Sequence, residues 1–190
     1  MTVKDKIMPS LVGVDIGCGV LAIKTDKEYD PDKFICFDTV LITDAIKNHV
    51  PSGFNVHEQP NKLFFDDSTG QSLDWLIREG LYCSSAVNHE YASLSLGTLG
   101  GGNHFIEVAK DKDNLLWLII HSGSRHFGLE IAEYYMNYGV EYLKKRYDIE
   151  TTPEFSWLDS VNKNRYLNDV LVAQKFASLN RRIMASEILH

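Results

Sequence analysis

The stretch from Gly97 to Arg125, GTLGGGNHFIEVAKDKDNLLWLIIHSGSR, constrains this chain more than any other. Two apolar runs, Phe105–Ala109 and Leu115–Ile120, flank an Asp- and Asn-bearing segment at Asp111–Asn114 that reads as a hairpin turn. A glycine-rich turn and Asn103-His104 precede the first run. The second run delivers His121 and then Ser122-Gly123-Ser124-Arg125. An antiparallel pair places both polar clusters at the same end. The other densely polar spot is Gly13-Val14-Asp15-Ile16-Gly17-Cys18-Gly19. We read the three loops as meeting at one metal and phosphate site.

The rest of the chain is consistent with one α+β domain spanning 1–190, with a mixed or antiparallel sheet flanked by helices. An apolar content of 44% is enough for a core. No apolar run reaches membrane-helix length, and MTVKDKIMPS has no apolar signal region, so no membrane partner is expected. Three cysteines, at 18, 36 and 83, make no disulfide framework, and a cytoplasmic, reducing setting is the simplest expectation. A net charge of −7 argues against a general nucleic-acid coat but not against an enzyme with a local basic groove. Lys144-Lys145-Arg146 and Arg181-Arg182 read as solvated helix faces.

In chain order, Leu11–Val14 reads as a buried strand and Val20–Lys24 as a second. Asp30-Pro31 starts a helix carrying Phe34, Phe37, Leu41 and Ala45, which ends before Pro51. Residues 52–70 read as a long loop, and 72–81 and 88–96 as short helices. A helix over 128–147 buries Ile131, Tyr134, Tyr135, Tyr138 and Tyr142. Thr151–Trp157 is a loop. A last helix from about Asp159 aligns Tyr166, Val170, Ala173, Ala177, Asn180 and Met184. A helical pattern running to the last residue with no capping glycine suggests a chain that is part of something longer.

Asp15, Cys18, His104 and His121 are the candidate metal ligands, since a carboxylate, a thiolate and two imidazoles suit a divalent transition ion. The plain alternative is a small buried cysteine and two satisfied histidines. On a strand, Asn103, Phe105 and Glu107 share a face and His104 points the other way. His104 then faces a metal, while Asn103 and Glu107 face a ligand such as a nucleotide; a strand-edge charge is the plain alternative for Glu107. The Gly97–Gly102 turn offers amides to an anion but lacks the phosphate-loop pattern. Ser122, Ser124 and Arg125, ahead of a helix, suit a phosphate or sulfate. His49, His57, His89 and His190 have no motif around them, and Cys36 and Cys83 read as core.

GVDIGCG (13–19), GTLGGGNHFIE (97–107) and HSGSR (121–125), in that order, resemble the RtcB family of RNA ligases, as does AQKFASLNRRIM (173–184). The resemblance implies joining of RNA 2′,3′-cyclic phosphate or 3′-phosphate ends to 5′-hydroxyl ends in tRNA splicing and RNA repair, with GTP and one or two manganese ions. It implies that Asp15, Cys18, His104 and His121 are manganese ligands, with Cys18 able to bridge two ions. It also implies that Asn103, His104, Phe105, Ile106 and Glu107 contact the guanine nucleotide, and that Arg125, with Ser122 and Ser124, holds an RNA phosphate.

The family's further metal-binding histidine, and the histidine that carries GMP covalently, have no counterpart motif among His49, His57, His89, His126 or His190. His126-Phe127 replaces a usual glycine after Arg, and Gly101 replaces a commoner hydroxyl or small residue. The leading expectation is therefore a partial RtcB-type ligase with no catalytic nucleophile of its own, inactive unless a second chain supplies it, and prone to self-association. A non-catalytic relic that binds metal, nucleotide or an RNA end is the runner-up. A metal-dependent hydrolase with Glu107 as general base is a third reading.

Overall fold

The computed structural model describes residues 4–29, 36–60 and 78–189. The fold is α+β, with antiparallel sheets flanked by helices, as the sequence patterning leads one to expect. The main sheet has three strands: β2 (Gly19–Glu28), β3 (Phe105–Lys110) and β4 (Leu115–Ser122). β4 lies in the middle and pairs antiparallel with both neighbours. The β3–β4 turn is tied by Asp111, whose carboxylate accepts from the amides of Asp113 and Leu115 and from the Trp117 indole. Asn114 takes the left-handed backbone the turn needs, with φ 61°.

Strand period decides what reaches the site. Leu118 and Ile120 of β4 point inward with Leu21, Ile23, Ile106 and Val108, against Val50 and Met184, Ala185 and Ile188. His121 points the other way, in one register row with Val20 and Phe105. That outer face leaves Val20 58% and Phe105 40% exposed.

Two helices carry the larger core. α4 (Arg125–Tyr147) and α5 (Ser160–Leu189) pack through Phe127, Ile131, Tyr135, Tyr166, Ala173 and Phe176. Burying each large side chain contributes about 1.5–3 kcal/mol. All six positions expected to align on the last helix are buried. On α4, Ile131 and Tyr135 are buried, while Tyr134, Tyr138 and Tyr142 pack partly buried against the same cluster. Asp169 lies inside this core with its carboxylate fully occupied. It accepts from the Tyr82 and Cys83 amides, the Tyr135 hydroxyl and the Asn168 amide, which anchors the segment before α3 (His89–Ser95).

Of the first expected strand, Leu11–Val14, Leu11 and Val12 belong instead to a single helical turn, α1 (Pro9–Val12), which Gly13 caps. Pro9 at its first position presets the helical φ, and Leu11 is 62% exposed rather than buried. Four apolar letters do not tell a strand from a turn of helix. Two-residue strands β1 (Lys6–Ile7) and β5 (Leu158–Asp159) pair antiparallel and were too short to read. Helix α2 (Cys36–His49) ends before Pro51 as expected. Its expected start at Asp30-Pro31, Phe34, most of the expected helix over 72–81, and His190 lie outside the described residues.

Candidate metal and nucleic-acid-end site

The turn Asp15–Cys18 closes with the Cys18 amide donating to the Asp15 carbonyl at 3.2 Å. Gly17 occupies it at φ +79°, and a β-carbon there would lie 2.9 Å from Ala177 Cβ and from Gln174 Cα on α5. Glycine therefore lets this loop settle directly on the helix. Two residues later β2 starts, and Gly19 pairs with Ser122 at the end of β4. The first and third polar loops are neighbours for that reason.

Three ligand atoms converge. Cys18 Sγ lies 3.0 Å from His121 Nε2 and 3.8 Å from His104 Nε2, and the three donor groups lie within 4.8 Å of one another. Asp15 Oδ2 is 2.9 Å from His104 Nε2. His104 Nδ1 sits 2.9 Å from the Leu99 carbonyl, which can only accept. Nδ1 therefore carries a proton in that bond, and Nε2 is the ring atom that faces the Asp15 carboxylate and the Cys18 sulfur. A cation at that point satisfies all three groups, and the donor set fits a divalent transition ion. Burial and the Asp15 carboxylate push the Cys18 thiol up to about 11, against the opposing pull of Arg181.

Arg125 opens α4 in the left-handed region, at φ 58°. Such a conformation costs about 1–3 kcal/mol in a non-glycine residue and needs surroundings that enforce it. Arg125 Nε donates to Thr98 Oγ1 at 3.0 Å and Nη2 to the Gly53 carbonyl at 2.8 Å. Gly100 makes room: a β-carbon there would run into the guanidinium. Burial lowers the affinity of Arg125 for its proton, while Tyr91 and Asp15 act in the opposite sense.

A cavity of about 510 Å³ adjoins these parts, and Asp15, His104, Asn103, Arg125, Phe54, Tyr91 and His126 are among the residues that line it. Its size is that of a small-molecule site.

The other expected site residues fall in several places. Phe105 and Glu107 are exposed on the outer face of the sheet, Phe105 stacking at 5.3 Å on the His121 ring. Ile106 turns inward to the core. Ser122 and Ser124 are fully buried. The Ser122 hydroxyl donates to the Leu99 carbonyl and accepts from Asn180, whereas Ser124 Oγ is buried without a partner. His89 and His49 contact nearby backbone carbonyls. Cys83 is core.

Asn180 and Arg181 are the functional residues that sequence reasoning missed. Arg181 Nη1 donates to the Gly17 carbonyl at 3.0 Å and to the Ser122 carbonyl at 2.6 Å. Its expected place on a solvated helix face is therefore wrong: the guanidinium is the strap between two motif loops. Lys144 does behave as a surface charge, pairing with Asp148 and Glu150. An asparagine inside an otherwise apolar helical stripe was the signal that could have drawn attention to this segment.

A family model described as tRNA-splicing ligase RtcB matches residues 1–190. RNA-splicing ligase RtcB of Escherichia coli strain K12 is 30% identical over 203 residues, covering 98% of this chain and 47% of its own length. RtcB1 of a second Escherichia coli strain gives the same identity and coverage over 201 residues. RNA-splicing ligase RtcB homolog 1 of Entamoeba histolytica is 26% identical over 220 residues, covering 96% of this chain and 41% of its own. The chain spans about half the length of these curated relatives.

Proposed function

The chain belongs to the tRNA-splicing ligase RtcB family, and from that premise we propose that it forms the metal- and RNA-end-binding part of a manganese- and GTP-dependent RNA ligase. The reaction is the joining of a 2′,3′-cyclic phosphate or 3′-phosphate end to a 5′-hydroxyl end. The observation that carries this reading is the convergence of Cys18, His104 and His121, with Asp15 on His104, beside a cavity that Asp15, His104 and Arg125 line together.

Cys18, His104 and His121 would hold the ion, with Asp15 completing the charge. A manganese ion there supplies positive charge to phosphate oxygens and lowers the barrier to attack on them. His104 is held ready by its Nδ1–H bond to Leu99. The Cys18 proton must leave for the sulfur to ligate, so binding and deprotonation are one event. Arg125 keeps its proton throughout. Anchored by Thr98 and Gly53, it orients an RNA phosphate and transfers nothing. Phe105 and Glu107, beside His121 on the outer face, would meet the guanine nucleotide, with the Glu107 carboxylate accepting from the base.

We also propose that the attacking histidine of the guanylylation step comes from outside these 190 residues. Among the described residues the cavity is lined by only two histidines. His104 is committed to the cluster, and His126 lies edge-on to Tyr91 with Nε2 3.6 Å from Glu130. The same observation supports the second reading, a chain that binds a cation and an RNA end without joining ends. Filter binding tests the common part. In manganese, RNA ending in a 3′-phosphate should bind the chain more tightly than RNA ending in a 3′-hydroxyl, and Arg125→Met should abolish the difference. Equal binding of both ends by the unaltered chain would reject the RNA-end reading.

A further inference from the structure

The far wall of the cavity has no part in the chemistry above. The loop after Pro51 makes a tight turn, closed by the Asn55 amide donating to the Ser52 carbonyl at 3.2 Å, with Gly53 at φ +66°. Phe54 sits on that turn with 97% of its surface exposed, yet it lines the cavity. A scattered exposed phenylalanine would be unremarked. This one stands on a backbone fixed by the site itself. Arg125 donates to the Gly53 carbonyl at 2.8 Å, the Gly53 amide donates to the Gly100 carbonyl at 2.9 Å, and the Tyr91 hydroxyl donates to the Phe54 carbonyl at 3.4 Å. Tyr91 in turn meets the His126 ring edge-on, with centroids 5.6 Å apart. The backbone that carries the ring is thus tied to the residue that would grip the phosphate, while the ring itself buries almost nothing.

We propose that Phe54, which shares the cavity lining with Tyr91 and His126, is the stacking platform for the terminal nucleobase of the RNA end whose phosphate meets Arg125. The inference rests on the RNA-end reading above and adds a base subsite to it. An exposed aromatic ring and a guanidinium in the lining of one cavity, with Asp15 and His104 of the cation cluster in the same lining, match the two halves of a nucleotide. Bases splayed from single strands are held by aromatic stacking, which accepts any base because each has a π-face. A backbone fixed in advance loses little freedom on binding, which leaves only the side-chain torsions of Phe54 to be ordered. The exposure of Phe54 leaves a path for the strand to continue into solvent, which favours a chain end over a free nucleotide.

The test uses the 190-residue chain in manganese and five probes: a short 3′-phosphorylated RNA, the same RNA with an abasic terminal residue, with 2-aminopurine at that position or with a 3′-hydroxyl end, and GMP. Stacking is worth about 1–3 kcal/mol per base on alanine substitution, or about 5- to 150-fold in affinity. Phe54→Ala should weaken the complete RNA by about tenfold and leave the abasic RNA unchanged, and 2-aminopurine at the terminal position should lose its quenching. Phe54→Tyr should restore both. Phe54 is almost wholly exposed, so its loss leaves the fold intact, which circular dichroism checks. If Phe54→Ala binds both RNAs like the parent while Arg125→Met weakens both, the base subsite is wrong and the RNA-end reading stands. If the parent does not distinguish a 3′-phosphate from a 3′-hydroxyl, the reading and the subsite fall together. Loss of GMP binding in Phe54→Ala with RNA unaffected overturns the proposal in favour of a free nucleotide.

Discussion

Asn180 Oδ1 accepts the backbone N–H of Gly97 at 2.7 Å, across 83 positions of sequence. The same oxygen accepts from the Thr98 amide, and Nδ2 donates to the Thr98 carbonyl, Ser122 Oγ and the Gly123 carbonyl. One buried side chain on α5 thereby fixes the second and third motif loops. Its neighbour Arg181 fixes the first against the third. The helix acts as the jig for a site to which it contributes no ligand.

Asn180→Ala should therefore be destabilising out of proportion to its volume. It leaves buried amides of Gly97 and Thr98 without an acceptor, at about 1–3 kcal/mol for each unsatisfied group. We expect a loss of about 2–4 kcal/mol in urea unfolding, with cation affinity falling in the remaining folded protein. An unchanged midpoint would show that water or a neighbour replaces the amide.

Cation binding should depend steeply on pH. With the free thiol at about 11, Cys18 is protonated throughout the neutral range. Each unit of rising pH should strengthen apparent affinity about tenfold, with one proton released per thiolate bound. Calorimetry in buffers of different ionisation enthalpy counts that proton. Cys18→Ala should remove it and flatten the profile; a parent profile flat between pH 7 and 9 contradicts a thiolate ligand.

Acid stability should be sensitive to Asp159. The hydroxyls of Tyr142 and Tyr147 hold its carboxyl below the ordinary carboxylate value of 3.8. The folded state thus binds that proton less readily than the unfolded state. Its stabilisation is present above the ordinary value and disappears as pH falls through the depressed one. Thermal melts of the parent should drop from pH 5 to pH 3 more than those of Asp159→Asn. Parallel curves would show that the tyrosines do not act through this charge.

Incubation with manganese and GTP labelled at the α-phosphate should leave the 190-residue chain without covalent label, because no candidate nucleophile is assigned within it. A labelled band that survives denaturing electrophoresis would overturn that part of the proposal.

The hairpin was legible because Asp111 and Asn114 are turn residues between two short apolar runs. The convergence of loops followed from antiparallel pairing, whereas the expected split of Asn103 from His104 by strand period did not hold, because both precede β3 and line the cavity together. Less legible was everything that depends on which polar group meets which. Asn180 was placed correctly on the buried stripe of its helix, but periodicity records burial and not the five backbone and side-chain partners waiting there. Arg181 was read as surface because a charge pair in a helix usually is, and two backbone carbonyls 164 and 59 positions away decide otherwise. Phe54 was submerged in a stretch read as loop, where an aromatic letter gives no sign that its backbone is pinned.

The central claim is that loops far apart in sequence close around one cation with the sulfur of Cys18 as a ligand. Titration with cobalt(II), followed by near-ultraviolet absorption, tests it most directly, since a thiolate-to-cobalt charge-transfer band appears only if sulfur coordinates. The account predicts a saturable band that vanishes in Cys18→Ser and weakens in His121→Ala, with the fold retained in both. A band that survives Cys18→Ser unchanged, or no saturable binding by the parent chain, would contradict it.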